Sequence, residues 1–98
     1  VGKLKVLTGR REVFIEDTAI FLTTVEFDIL KYMAEKAGEV VSRNDLHQSL
    51  YNTDYDGLDR SIDVYISRIR QKLGDDPVDP LYLLTVRGVG YMLKGPLE

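Results

Sequence analysis

Between Asp59 and Leu73 the chain reads DRSIDVYISRIRQKL, and this stretch admits few folds. At about 100° per residue, Ile62, Ile66, Ile69 and Leu73 fall within about 40° of one line on a helix surface. Such a stripe must pack against other elements. The opposite face holds Arg60, Val64, Ser67 and Gln71, with Ser61 and Arg68 beside them. A helix that only meets water usually carries Glu–Lys pairs there. This face mixes guanidinium groups, short hydroxyls, an amide and a small apolar residue, which suit phosphate, guanine and the thymine methyl in a major groove. A helix over 59–73, capped by Asp59 or Ser61 and ended by Gly74, can be core on one side and reader on the other.

Charge is distributed to match. The 98-residue chain has a net charge of −3, which by itself argues against a nucleic-acid partner. From Thr24 to Asp59 there are eight acidic and three basic residues, whereas from Arg60 to Leu73 there are four basic residues and one acidic, Asp63. The cations gather on one helix, and their placement matters more than the sum. Asp63 is expected to orient a nearby arginine rather than to read a base.

Hydrophobic residues make up 44% of the chain, enough for one small core in one domain. Cysteine is absent, which excludes disulfides and thiolate metal sites. No run approaches the ~18 apolar residues of a membrane span. The N-terminal stretch lacks the apolar region of a signal peptide. The expectation is a soluble, cytoplasmic domain.

The N-terminal KLKVLTGRREVFIEDTAIFL alternates, predicting strands over 3–7, 11–16 and 18–22. The period then changes. Phe27, Leu30, Met33 and Ala34 recur at helical spacing after a cap at Thr23 or Thr24, and Gly38 stops the helix. EVVS is a short extended link. Ser42, with Asp45 in a capping-box position, opens a second short helix, RNDLHQSL. Tyr51 to Asp59 form a polar loop. After the third helix, LYLLTV and YMLK flank RGVG as a hairpin over 82–94, in which Gly88 and Gly90 allow a tight turn. Arg87 at its tip can extend into a minor groove.

Three stretches, LTTVEFDILKYMAEKAGEVVSRNDL, DRSIDVYISRIRQKL and TVRGVGYML, resemble the effector domain of OmpR/PhoB-family bacterial response regulators over nearly the whole chain. YDGLDRS is similar to the RstA-like branch. The resemblance implies an α+β winged helix-turn-helix: an N-terminal antiparallel four-stranded sheet whose fourth strand is the EVV link, three helices and a C-terminal β-hairpin wing. It implies DNA contacts by Arg60, Ser61, Val64, Tyr65 and Arg68, and minor-groove entry by Arg87. Ser67, Gln71 and Lys72 complete the expected DNA-binding set. Ser67 stands where some members have an arginine. The resemblance further implies tandem half-sites on double-stranded DNA, and RNA polymerase contact through the loop bearing Tyr51, Asp54, Tyr55 and Asp56. It implies a receiver domain, absent from this chain, on which a sensor histidine kinase acts.

Other chemistries find few parts. His47 is the only histidine, so triads and zinc sites lack members, and it is expected at the surface or near phosphate. No enzyme, cofactor or metal site is expected. RGVGYMLKG lacks the G-x-G-x-x-G spacing before a helix, and Asp54, Asp56 and Asp59 lack the distal glutamate of a calcium loop. The alternative is a winged-helix protein-interaction module without DNA binding, which an acidic balance would suit.

Overall fold

Left-handed residues punctuate the N-terminal strands. The computed structural model describes residues 3–53, 60–76 and 78–94. In it, β1 (Leu4–Leu7), β2 (Glu12–Ile15) and β3 (Thr18–Ile20) form an antiparallel sheet in that order. Arg11 and Glu16 sit at φ of +54° and +55°, so both belong to turns and β2 is shorter than expected. Leu4 and Val13 point into the core, whereas Lys5, Phe14 and Ala19 pair in register on the other face.

Helix α1 (Thr24–Glu35) begins with a reciprocal cap. The Glu26 amide donates to Thr23 Oγ1 at 3.3 Å, and the Thr23 amide donates to Glu26 Oε1 at 3.0 Å. Phe27, Ile29, Leu30 and Met33 are buried, as the helical spacing requires. On the sheet side, Arg11 donates to Asp28 at 2.9 Å and lies 4.5 Å from the centre of the Phe27 ring.

Past α1 the structure departs from the expected four-stranded sheet. Strand β4 (Val40–Ser42) does not join the N-terminal sheet. It pairs antiparallel with β6 (Gly90–Leu93), which also pairs with β5 (Leu83–Val86), so there are two three-stranded sheets. The cause lies at the end of α1. Gly38, at φ +85°, donates its N–H to Leu93 O at 2.9 Å, so the chain is already clipped to β6 before β4 begins. Two residues on, Val40 faces Met92 and Val41 is buried opposite Tyr91.

Helix α2 (Arg43–Tyr51) starts with the expected box: the Asp45 amide donates to Ser42 Oγ at 3.0 Å and the Ser42 amide to Asp45 Oδ2 at 3.2 Å. It ends at Asn52, φ +58°, so Tyr51 closes the helix instead of opening a loop. Helix α3 (Ser61–Leu73) buries Ile62, Ile66, Ile69 and Leu73, the predicted stripe. Its start differs from expectation. Arg60 is the N-cap without a side-chain hydrogen bond, and Ser61 is already helical; Asp59 lies outside the described residues. Gly74, at φ +72°, ends it as expected.

Two buried carboxylates lock the elements together. Asp75 accepts the amides of Leu81 at 2.6 Å, Tyr82 at 3.2 Å and Leu83 at 2.9 Å, which fixes the entry to β5. Glu26, 1% exposed, accepts Lys72 Nζ of α3 at 2.6 Å while it caps α1. Burial alone would raise the Glu26 pKa, but the hydrogen bonds from Lys72 and the Thr23 amide outweigh it and hold the carboxyl below its ordinary value of 4.5. A depressed carboxylate stabilises the fold above its unfolded pKa, and that contribution fades as pH falls through the folded value. Glu26→Gln is therefore expected to cost about 2 kcal/mol at neutral pH, with the gap from the parent closing below pH 4.5 in urea titrations across pH.

Candidate nucleic-acid interface

With its isoleucine stripe buried, α3 turns Val64, Ser67, Arg68 and Gln71 outward, and all four are exposed. Val64 is 44% exposed although the residues beside its turn are packed, so an apolar group stands at the centre of a polar face. Arg60 is exposed just before the helix, and Arg87 is exposed at the β5–β6 turn, where Gly88 takes φ +75°. These six residues lie at the start and on the outer face of α3 and at the tip of the hairpin.

The remaining predicted contact residues have partners of their own. Lys72 is engaged with Glu26, so its charge serves the α1–α3 seam. Ser61 Oγ lies 3.0 Å from Tyr51 OH, joining the ends of α2 and α3. Tyr65 is half-buried and packs on the core. Arg70, another cation of the helix, donates to Leu83 O at 2.9 and 3.1 Å and to Thr85 Oγ1 at 2.7 Å. It thus fastens α3 to β5. The concentration of positive charge read along this helix is therefore thinner at its surface than a count of residues implies.

A second group was not legible as a unit in the sequence. Arg43, the first residue of α2, donates from Nε to Asp63 Oδ1 at 2.9 Å. Tyr91 OH of β6 donates to the same oxygen, and Arg43 Nη2 lies 3.3 Å from Tyr91 OH. The Tyr91 ring also receives two guanidinium groups, Arg43 at 5.0 Å and Arg70 at 5.8 Å from its centre. Burial would raise the Asp63 pKa; the bonds from Tyr91 and Arg43, with the nearby charge of Arg60, outweigh it and lower it. Burial and the Asp63 carboxylate push the Tyr91 hydroxyl up to about 12, so it remains a donor. Asp63 thus orients an arginine, as expected, but that arginine comes from α2, and a wing tyrosine joins it. Only the lone carboxylate among the cations of α3 could have hinted at this. Arg43 and Tyr91 are 48 residues apart.

His47 is buried, not superficial: its Nδ1 is 3.0 Å from Thr53 O, and its ring meets Tyr51 edge-on at 4.7 Å. Tyr51 itself is an α2 residue bound to Ser61. Asp54, Tyr55 and Asp56 of the expected polymerase-contact loop lie outside the described residues. Among the described residues no cluster suits a metal ion, and no helix is long and apolar enough to cross a membrane.

Three helices, of which the short α2 precedes α3 with its exposed polar face, and a hairpin clamped beside α3 make a winged helix-turn-helix. Residues 17–93 match the family described as "Transcriptional regulatory protein, C terminal". The sensory transduction protein RegX3 of Mycolicibacterium smegmatis is 36% identical over 96% of this chain, and the transcriptional regulatory protein RstA of Escherichia coli is 42% identical over 93%. The chain spans 41% and 38% of the length of these two relatives. The crystal structure of the Klebsiella pneumoniae RstA DNA-binding domain in complex with RstA box superposes with a TM-score of 0.90 at 39% identity, covering 95% of this chain and 92% of that one. The chain belongs to this family, the C-terminal domains of OmpR/PhoB-type response regulators.

The sheet that carries the wing depends on a glycine for a reason other than its turn. Gly90 has ordinary φ, but a Cβ there would lie 2.1 Å from Val41 O and 2.8 Å from Ser42 Cα. Its role is to admit β4, not to bend the hairpin. Gly90→Ala is expected to destabilise by about 3 kcal/mol, because the clash is with backbone, whereas Val89→Ala at the exposed turn should stay within about 0.5 kcal/mol. Thermal unfolding of the two variants checks this.

Proposed function

We propose that this domain binds double-stranded DNA in a sequence-specific way and regulates transcription, as the output domain of a two-component response regulator. The observation that carries this reading is the outer face of α3. Val64, Ser67, Arg68 and Gln71 project from a helix whose opposite side is fixed in the core, with Arg60 at its start. In the major groove Arg68 can bond a guanine in a bidentate way and Val64 can meet a thymine methyl. Ser67 and Arg60 suit phosphate oxygens. Arg87 on the wing reaches the adjacent minor groove. Lys72, Tyr65 and Ser61 act by holding α3 in place.

The wider context belongs to the same proposal. The full-length protein carries a receiver domain acted on by a sensor histidine kinase, works in the cytoplasm and occupies tandem half-sites about one helical turn apart. A contact of Asp54, Tyr55 and Asp56, which lie outside the described residues, with RNA polymerase belongs to the same proposal.

Selection of bound duplexes from a random pool supplies the operator. On that operator Arg68→Ala should cost about 1–3 kcal/mol and relax selectivity at one base pair, measured by titration against single-base variants. Equal loss on operator and scrambled duplex would reduce Arg68 to a phosphate contact. Arg87→Ala should weaken binding more on operators with A/T-rich flanks than on those with G/C-rich flanks, since a narrow minor groove concentrates negative potential. Fluorescence anisotropy with paired flanks measures the difference.

A further inference from the structure

Two DNA-facing elements, α3 and the wing, share one carboxylate oxygen. Asp63 Oδ1, on the first turn of α3, receives both Arg43 from the start of α2 and Tyr91 OH from the central strand of the wing sheet. Arg60 lies close enough for its charge to act on the same carboxylate. The Tyr91 ring is 4% exposed and flanked by Arg43 and Arg70, and Arg70 reaches across to Leu83 and Thr85 of β5. Tyr91 is buried and Arg43, Asp63 and Arg70 are partly buried, and none of the bonds among them is needed to complete a helix or strand.

We propose that Tyr91, through Asp63 and Arg43, is a positioning residue that fixes the angle between the recognition helix and the wing. It thereby makes major-groove and minor-groove contacts cooperative. The reasoning rests on the reading of α3 and the wing as two DNA contacts. A hairpin joined to α3 only through an apolar core can rock, because apolar contacts are non-directional. A hydroxyl and a guanidinium converging on one carboxylate are directional and charge-assisted, and they restrict the rock. With the angle set in the free protein, the wing arginine reaches the minor groove without an ordering cost once α3 is seated. Without the hydroxyl, each element still binds, but the second contact must fix the angle itself.

Tyr91→Phe tests this, since it keeps the ring between its two arginines and removes only the shared bond. Thermal unfolding establishes that the variant is folded. Operator affinity is then measured for the parent, Tyr91→Phe, Arg87→Ala, Arg68→Ala and the two doubles containing Tyr91→Phe. Arg87→Ala should weaken the parent about tenfold but the Tyr91→Phe background only about threefold. The loss caused by Arg68→Ala, on the helix already seated, should be the same in both backgrounds. Asp63→Asn, which retains an acceptor for the tyrosine, should preserve more of the Arg87 contribution than Tyr91→Phe does. Additive effects of Tyr91 and Arg87 overturn the proposal, as does an equal loss of the Arg68 and Arg87 contributions, which signals general loosening. If the parent binds no duplex, the DNA reading itself has failed and the coupling fails with it, a result distinct from additivity on a bound operator.

Discussion

One oxygen atom, Asp63 Oδ1, is where α2, α3 and β6 meet in a directional way. The apolar core brings these elements together but does not set their angles. Around that point each further polar contact takes a different pair of elements. Arg70 ties α3 to β5, Lys72 and Glu26 tie α3 to α1, and Tyr51 and Ser61 tie α2 to α3. Helix α3 is the hub of all of them. Two of its three cations, Arg70 and Lys72, are engaged with Leu83, Thr85 and Glu26, which leaves Arg68, with Arg60 at the N-cap, outward.

That division explains how an acidic chain can present a DNA-facing surface. Non-specific affinity scales with the phosphates that Lys and Arg neutralise. On the proposed surface, with Arg60 and Arg68 outward and Arg87 at the wing tip, the sequence-independent term would be small and recognition would lean on base contacts. Three carboxylates of α1 and α2 are engaged within the fold: Glu26 with Lys72, Asp28 with Arg11 and Asp45 with the Ser42 amide.

Much of the architecture was legible because it depends on local rules. The isoleucine stripe of α3, the capping boxes at Thr23 and Ser42 and the stop at Gly74 all appear where period and end signals place them. The partner of β4 was not legible: EVV is equally strand-like beside either sheet, and the choice is made by a hydrogen bond from Gly38 to Leu93, far along the chain. The same limit applies to the site. Val64, Ser67, Arg68 and Gln71 follow from the angle around one helix. That Lys72 and Arg70 are engaged, that His47 is buried and that Arg43 meets Tyr91 depend on contacts between elements remote in sequence. Gly90 reads in the sequence as a turn glycine, because close approach by β4 leaves no mark on neighbouring residues.

The strand order β4-β6-β5 also has a consequence for how the chain acquires its shape. The middle strand of this sheet is the last one made. Until Gly90 to Leu93 leave the ribosome, β4 has waited some 50 residues with its backbone groups unpaired, and β5 has no hairpin partner. Loop closure over that distance must precede the reward of the pairing, so the wing sheet forms late and all at once. The N-terminal sheet, built from adjacent strands, meets no such delay. A nascent chain of this kind has all the strands of its N-terminal sheet in hand early, whereas its wing sheet waits for β6, the one strand that both β4 and β5 pair with.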